Sequence, residues 1–509
     1  MKNKILILAL LGVFSANYIH SDEVEEVVVQ ASILNVTQDK IGDPLHILSG
    51  TDISDFGTTD LGGTLDSLLG VTSSDYGTAV GQPIIRGLSG SRVKILTNGL
   101  VNRDVAGIGA DHKNEVDLND IQQIEVVRGP SSLLYANGAT GGIINIVDNT
   151  IATSDIEKRL LKLGFETQSV NSGDGQSFSV ADNLGGLNLY FSYSDSSFGN
   201  YDIPNGAILH EEEHDPHDDD DDHDDDHDDH HDEDKGYLEN SDSAQEATRF
   251  GVSKVADWGY VGLAVSSSES IFGVPYHGEE HEGEEHEGEH EEERIFSNTE
   301  SDKVNIRGQV GKVDFFFQDS EYSHTEQHAE EEHDGDDDHG DDPHGHGEEG
   351  PTTFSNDSSE FGFIVDLSND LMTQKVSLNS SEETVKIFGD EAFMNPADRE
   401  ELTIGYFAKR DFDMFEVSFG VRYDQIDTSG SVSEHHDEEE EPHDEDEHDE
   451  EEETTNYSFD SSNLSFALDL SRPLNENLSL NLGYSNVERA PSVVELFMNG
   501  PHLATGRFE

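Results

Sequence analysis

The chain has 509 residues with 28 Lys+Arg against 111 Asp+Glu, and its formal net charge of −83 excludes binding to nucleic-acid phosphates. Cysteine is absent, which rules out disulfides, thiolate zinc sites and iron–sulfur clusters and leaves oxygen or imidazole nitrogen to hold any metal. The low hydrophobic content, 33 %, is a local effect: tracts 210–234, 277–293, 324–349 and 434–453 carry 54 of the acidic residues and 21 of the 25 His, and no Lys or Arg.

Lys2 and Lys4 precede an apolar run from Ile5 to Phe14, followed by the small residues Ser15 and Ala16, which is the pattern of a secretory signal over residues 1–21. The run is about ten residues, short of the about 20 that a spanning helix needs, and no later apolar stretch reaches that length. The exported chain is expected to be soluble or to enter a membrane as a β-barrel, because only helices and closed barrels satisfy their backbone groups in lipid.

The next segment, Glu25, Glu26, Val27, Val28, Val29, Gln30 and Ala31, is acidic and β-prone. Residues 24–150 are Gly-rich and apolar, with short β runs at Ile84-Ile85-Arg86, Val93–Leu96, Ile124–Val127 and Ile143–Val147 that predict a compact α+β unit. Arg128-Gly129-Pro130 reads as a turn after a strand, and Gly138, Gly141 and Gly142 permit close backbone approach before the next one.

Three stretches of this unit resemble the plug domain of TonB-dependent outer-membrane receptors. They are Ile84-Ile85-Arg86-Gly87 with Arg92-Val93-Lys94-Ile95-Leu96-Thr97-Asn98-Gly99, then Ile124-Glu125-Val126-Val127-Arg128-Gly129-Pro130-Ser131-Ser132-Leu133-Leu134-Tyr135, then Gly138-Ala139-Thr140-Gly141-Gly142-Ile143-Ile144-Asn145-Ile146. The resemblance implies a plug over 33–150 seated in a barrel lumen, with Arg86 and Arg128 paired to carboxylates of the wall. It also makes residues 22–32 a TonB-box segment, in which Glu25–Val29 adds a strand to the sheet edge of TonB, itself driven by an inner-membrane complex.

From residue 158 onward period-2 alternation recurs, as in Leu187, Leu189, Phe191 and Tyr193, in Val304, Ile306 and Val310, and in Phe415, Val417, Phe419, Val421 and Tyr423. Leu464, Phe466, Leu468 and Leu470, then Leu478, Leu480, Leu482 and Tyr484, continue it. Alternation alone does not separate a soluble sandwich from a membrane barrel; long insertions alternating with short turns such as Asp257-Trp258-Gly259 and Leu474-Asn475-Glu476-Asn477 favour the barrel. The fold class is therefore mainly β: a transmembrane antiparallel barrel over 151–509 around an α+β plug. Roughly thirteen strands are countable, against about 22 in a plugged transporter. With no closing aromatic strand after Arg507-Phe508-Glu509, a C-terminally incomplete barrel is expected; Arg489-Ala490-Pro491-Ser492-Val493-Val494-Glu495-Leu496-Phe497 resembles a barrel-side motif of the same receptors.

Mixed imidazole and carboxylate, without Cys and with 5 Met, points to zinc first among the metals. In the tracts, pairs of His recur four residues apart: His210 with His214, His223 with His227, His277 with His281, His286 with His290, and His324 with His328. His344 and His346 form a closer pair, and His435, His436, His443 and His448 lie in the last tract. Many weak, interchangeable positions of this kind concentrate cations rather than form one site. His46, His112 and His502 are the only His beyond the signal and tracts. Asp111-His112 and the turn Asn499-Gly500-Pro501-His502 resemble zinc receptors of the ZnuD type, and this resemblance implies Asp111, His112 and His502 as zinc ligands; His324 and Glu326 are added as candidates from the barrel, and His46 is assigned no role.

The expected function is an outer-membrane receptor that imports zinc as its cargo, with no resident cofactor, energised by TonB, in contact with outer-membrane lipid, monomeric and with no nucleic-acid partner. No G-x-x-x-x-G-K-[ST] is present, and Ser91-Arg92-Val93-Lys94 fits S-x-x-K only by chance, so no enzyme is expected. The rivals are a receptor for nickel, copper, a metal chelate or haem, and a secreted metal-buffering β protein without transport.

Overall fold

The computed structural model describes residues 46–56, 60–77, 79–205, 207, 236–275, 295–328, 350–389, 392–434, 453–475, 478–502 and 507–508. The signal and the segment Glu25, Glu26, Val27, Val28 and Val29 lie outside the described residues, as do nearly all of the four acidic tracts. Of the loop His expected to capture metal, His210, His214, His223 and His227 of the first tract lie outside them, with His277, His281, His286 and His290 of the second. His344 and His346 of the third tract and His435, His436, His443 and His448 of the fourth lie outside them as well. The described part of the tracts thus holds His324 and the backbone of His328, and the expectation of capture in the loops stays one of sequence.

Residues 46–148 form the α+β unit. Its central sheet runs His46–Ser49, Ile121–Val127, Gly142–Asp148, Val93–Thr97, Leu100–Val101, and only the Val93–Thr97 and Gly142–Asp148 pair is parallel. A separate hairpin joins Val71–Asp75 to Gly81–Ile85, and short helices cover Gly50–Phe56 and Leu61–Leu65. Leu48, Ile53, Leu61, Leu65, Ile85, Ile124, Val126 and Ile144 make one buried core, the hydrophobic term on which this small unit rests. The motif glycines act as the sequence suggests: Gly129 (φ 81°) sets the entry to the 3₁₀ turn Pro130–Leu134, and Gly142 (φ 132°) starts the Gly142–Asp148 strand.

Among the described residues thirteen strands form a single antiparallel meander: Leu160–Gln168, Gly173–Leu184, Leu187–Phe198, Ser243–Ala256, Gly259–Gly273, Ile295–Val310, Val313–His328, Thr352–Asp366, Thr373–Phe388, Ala397–Phe412, Phe415–Glu434, Glu453–Asn475 and Leu478–Asn486. The count matches the alternating runs of the sequence. Among the described residues the first and last of these strands do not pair with each other, and the barrel they form is incomplete. Tract 324–349 begins later than its composition indicates: residues 324–328 belong to the Val313–His328 strand, because their partners on Ile295–Val310 and Thr352–Asp366 continue the ladder. Glu434 and Glu453 likewise face each other at paired strand ends.

Exposure decides what alternation left open. Val304, Ile306, Phe317, Phe361, Phe363, Leu402 and Ile404 point outward and are exposed, whereas the alternate residues Ser297, Thr299, Ser301, Gln318 and Ser320 are buried, and Gln318 donates to the Val101 carbonyl of the plug. An apolar outside around a polar lumen is the reverse of a soluble sandwich and suits lipid. The plug backbone approaches the wall closely: a Cβ on Gly420 would collide with the Pro130 carbonyl oxygen.

The expected pairing of Arg86 and Arg128 with wall carboxylates is not found among the described residues. Arg86 lies exposed at φ 51° in the tight turn that closes between Ile85 and Leu88, and buried Arg128 makes no ion pair among the described residues. Wall carboxylates are met by Arg103 instead, through Glu383 at 2.8 Å and Glu360 at 3.5 Å.

Candidate metal centre

In an antiparallel meander, alternate connections fall at opposite ends. The strand ends that flank the four acidic tracts therefore all lie at one end of the sheet. His324 and Glu326 stand two residues apart near that end of Val313–His328, and the period of two turns both into the lumen, where they are 1 % exposed. The plug contributes the loop between Leu100–Val101 and Ile121–Val127, which carries buried Asp111 and His112 to the same place.

Ligating atoms of His112, His324 and Glu326 lie within 4.8 Å of one another. Glu326 Oε1 is 2.9 Å from His324 Nε2 and 3.8 Å from His112 Nε2, which is in turn 3.6 Å from Asp111 Oδ2. Zinc at about 2.0–2.1 Å from each of four tetrahedral ligands requires ligand-to-ligand distances of about 3.3 Å. His112, His324 and Glu326 thus lie on the scale of that geometry and must draw together from up to 4.8 Å to meet it, with Asp111 adjoining through His112.

The neighbours fix the rings. Thr299 sits opposite His324 in the strand register and its hydroxyl is 3.1 Å from Nδ1, which leaves Nε2 as the nitrogen presented to the cluster. Phe354, opposite His324 on the other side, packs edge-on to His112 with ring centroids 5.0 Å apart, and Phe272 lies 5.9 Å from the His324 ring. Such an apolar collar excludes water and strengthens every electrostatic contact inside it.

Sequence reasoning missed the residue that shapes the loop. Gln82, just before the Ile84-Ile85-Arg86-Gly87 motif, directs its side-chain amide at the carbonyls of Ala106 (2.8 Å), Gly109 (2.6 Å) and His112 (2.8 Å). Nothing local in the sequence marks it, because its partners are 24 to 30 residues away. Gly109 leaves room for a neighbouring carboxylate: a Cβ there would collide with Asp111 Oδ1 and force that side chain to shift. Gln82→Leu is expected to leave the barrel assembled while weakening zinc binding by about 10–100-fold, the usual scale for losing an outer support of a metal ligand. Chelator competition on vesicles checks it, and unchanged affinity would remove Gln82 from the centre.

The loop is also tied to the wall beyond the centre. Glu115 accepts from Ser268 Oγ at 2.9 Å, and Lys113 Nζ donates to Gln245 at 3.2 Å. Burial pushes the Asp104 carboxyl upward, although it accepts from the backbone N–H groups of Glu115 and Ala106. His502 lies on the two-residue strand Pro501–His502, paired with Arg507–Phe508, and its side chain is outside the described residues. Asn499, three residues before it, donates its N–H to the Phe393 carbonyl, and the Phe393 ring lies 5.8 Å from Phe354. His46 is in the first plug strand, paired with Val126. Ser91 and Lys94 straddle a 3₁₀ turn and the Val93–Thr97 strand, and open no helix.

Residues 37–143 match the family described as TonB-dependent Receptor Plug Domain, and residues 294–508 match TonB dependent receptor-like, beta-barrel. A curated relative, the vitamin B12 transporter BtuB of Vibrio vulnificus (strain YJ016), is 27 % identical over 171 residues, which are 32 % of this chain and 27 % of that protein. Among solved structures, the Serratia marcescens hemophore receptor HasR, a double mutant with its hemophore HasA and heme, aligns with a TM-score of 0.64 at 13 % identity over 91 % of this chain and 66 % of that one. The copper transporter OprC aligns with a TM-score of 0.63 at 13 % identity, over 88 % of this chain and 65 % of that one. The chain thus spans somewhat under two thirds of the length of these solved receptors.

Proposed function

Because the chain belongs to the TonB-dependent receptor family, whose plug and barrel domains it carries, we propose that it is an outer-membrane receptor that imports zinc, bound between plug and wall and released inward when TonB pulls on its N-terminal segment. The family consists of receptors and transporters, so the protein is not an enzyme. The observation that carries the zinc reading is the convergence of His112 from the plug with His324 and Glu326 from one wall strand, Asp111 adjoining, in a buried cluster. Two imidazoles with carboxylates suit zinc; neither Met nor Cys, the donors that select copper(I), is in the set.

A haem or an organic chelate asks for a broad apolar pocket, whereas this cluster has room for an ion. The tracts supply a field of strongly negative sign with imidazole throughout, and they depart from the strand ends closest to the centre. Capture by the tracts, then transfer to the buried cluster, is the order this placement supports.

The test uses outer-membrane vesicles carrying the receptor, equilibrated with limiting zinc, nickel, copper and cobalt together and then washed. Zinc retained at low stoichiometry is expected. Retention without preference would leave the tracts as an ion-exchange surface and turn the search to chelates.

A further inference from the structure

Beside the centre, the same plug loop lines a cavity of about 180 Å³ between plug and wall. Gln82, which clips the loop to His112, lines it, as do residues 101–108; the wall contributes Asn356, Glu360, Glu383, Arg399, Glu401 and Arg422. Its charges are unevenly divided between the two walls. The barrel side supplies Glu360, Glu383 and Glu401, with Asp424 held 2.5 Å from Arg422, against three guanidiniums, Arg399, Arg422 and Arg489, the last of which is taken up by Glu495 at 2.8 Å. That leaves two negative charges uncompensated on the barrel side. The plug returns two positive ones, Arg103 and Lys94, while its Asp104 is turned to the N–H groups of its own loop and is offset by Lys303.

Arg103 does most of the neutralising, reaching Glu383 at 2.8 Å and Glu360 at 3.5 Å. Burial works against its charge, and Glu383 and Glu360 more than offset that. Lys94 is less well placed: burial and then Arg399 lower its pKa to about 8. A further observation points to a ligand. Asn356 is 5 % exposed, lines this cavity, and its Oδ1 has no hydrogen-bond partner. An amide oxygen that lines the same cavity as two carboxylates is of the donor type that a divalent cation takes.

We propose that this cavity is a second divalent-cation site, closed here because the plug's Arg103 and Lys94 stand in the place of the ion, and opened to the ion by Glu360, Glu383 and Asn356 when Arg103 withdraws. The inference rests on the zinc reading of the His112–His324–Glu326 centre, because one plug loop serves both. Displacing that loop takes Asp111 and His112 off the ion and frees the carboxylates next to it in the same movement. Oxygen donors hold zinc less tightly than imidazole, which suits a transit position rather than a resting one.

Zinc per receptor is counted in washed vesicles of the full chain, where the tracts are common to all variants and cancel in the differences. Arg103→Ala is expected to bind one more ion than the parent, and Arg103→Ala with Glu383→Gln to lose that extra ion. Arg103→Gln keeps a donor against Glu383 while deleting the charge, and reports the same gain should Arg103→Ala fail to assemble. No gain in either Arg103 variant overturns the proposal; if His112→Ala with His324→Ala still loses one ion, the centre stands without the cavity. A gain in the Arg103 variants with no loss in the His pair would support the cavity and refute the centre.

Discussion

Replacing His112 and His324 together by Ala is expected to lower zinc affinity by more than about 100-fold, since losing even an outer-shell partner of a metal ligand costs about 10–100-fold. The two rings come from different parts of the fold, one from the plug loop and one from the Val313–His328 strand, with centroids 4.8 Å apart. Neither is needed to hold those parts together: Gln82 clips the loop and Glu115 and Lys113 tie it to the wall, while the strand keeps its ladder on both sides. Lost affinity with an assembled barrel is therefore the expected combination, measured by chelator competition on vesicles and by migration of the folded barrel in gels. Deleting tract 277–293 supplies the contrast. One of four collectors is removed, and uptake at limiting zinc is expected to fall only modestly. Equal and small effects from the two variants would mean that no fixed centre exists.

How much of this was legible beforehand depends on the distance over which each feature is encoded. The wall was readable because alternation is local: Leu187, Leu189, Phe191 and Tyr193 announce a strand without reference to anything else. Which face meets lipid was not, because the same period serves a sandwich. It took the burial of Ser297, Thr299 and Gln318 to decide. At the centre, Asp111, His112, His324 and Glu326 were identifiable by residue type, context and resemblance. Thr299, Phe354 and Gln82 were not, since each acts through a register or a contact spanning tens of residues. Arg86 and Arg128 show the converse failure: a motif identifies the residues, while the turn at Ile85–Leu88 decides where Arg86 points. The charge that meets the wall, Arg103, is carried by a loop the motifs skip.

Deleting Glu25–Val29 is expected to leave zinc binding to vesicles unchanged and to abolish accumulation in energised cells. In the proposed mechanism the work of moving the plug arrives from a partner through this segment. An acidic, β-prone stretch ahead of a plug is suited to add a strand to a partner's sheet, and main-chain hydrogen bonds in such an augmentation bear load along the chain. A pull applied before His46 meets first the four-residue strand His46–Ser49, whose only partner strand among the described residues is Ile121–Val127. That second strand directly follows the loop that carries Asp111 and His112, and Ile121 already sits at a register irregularity against Gly142–Asp148. Tension is thus led to the plug segment that contacts both the metal centre and the carboxylates behind Arg103. Binding needs none of this, because every residue of the centre lies C-terminal to it. Accumulation that persists in the deleted receptor would dismiss TonB as the source of work, whereas loss of binding as well would show that the segment helps to seat the plug.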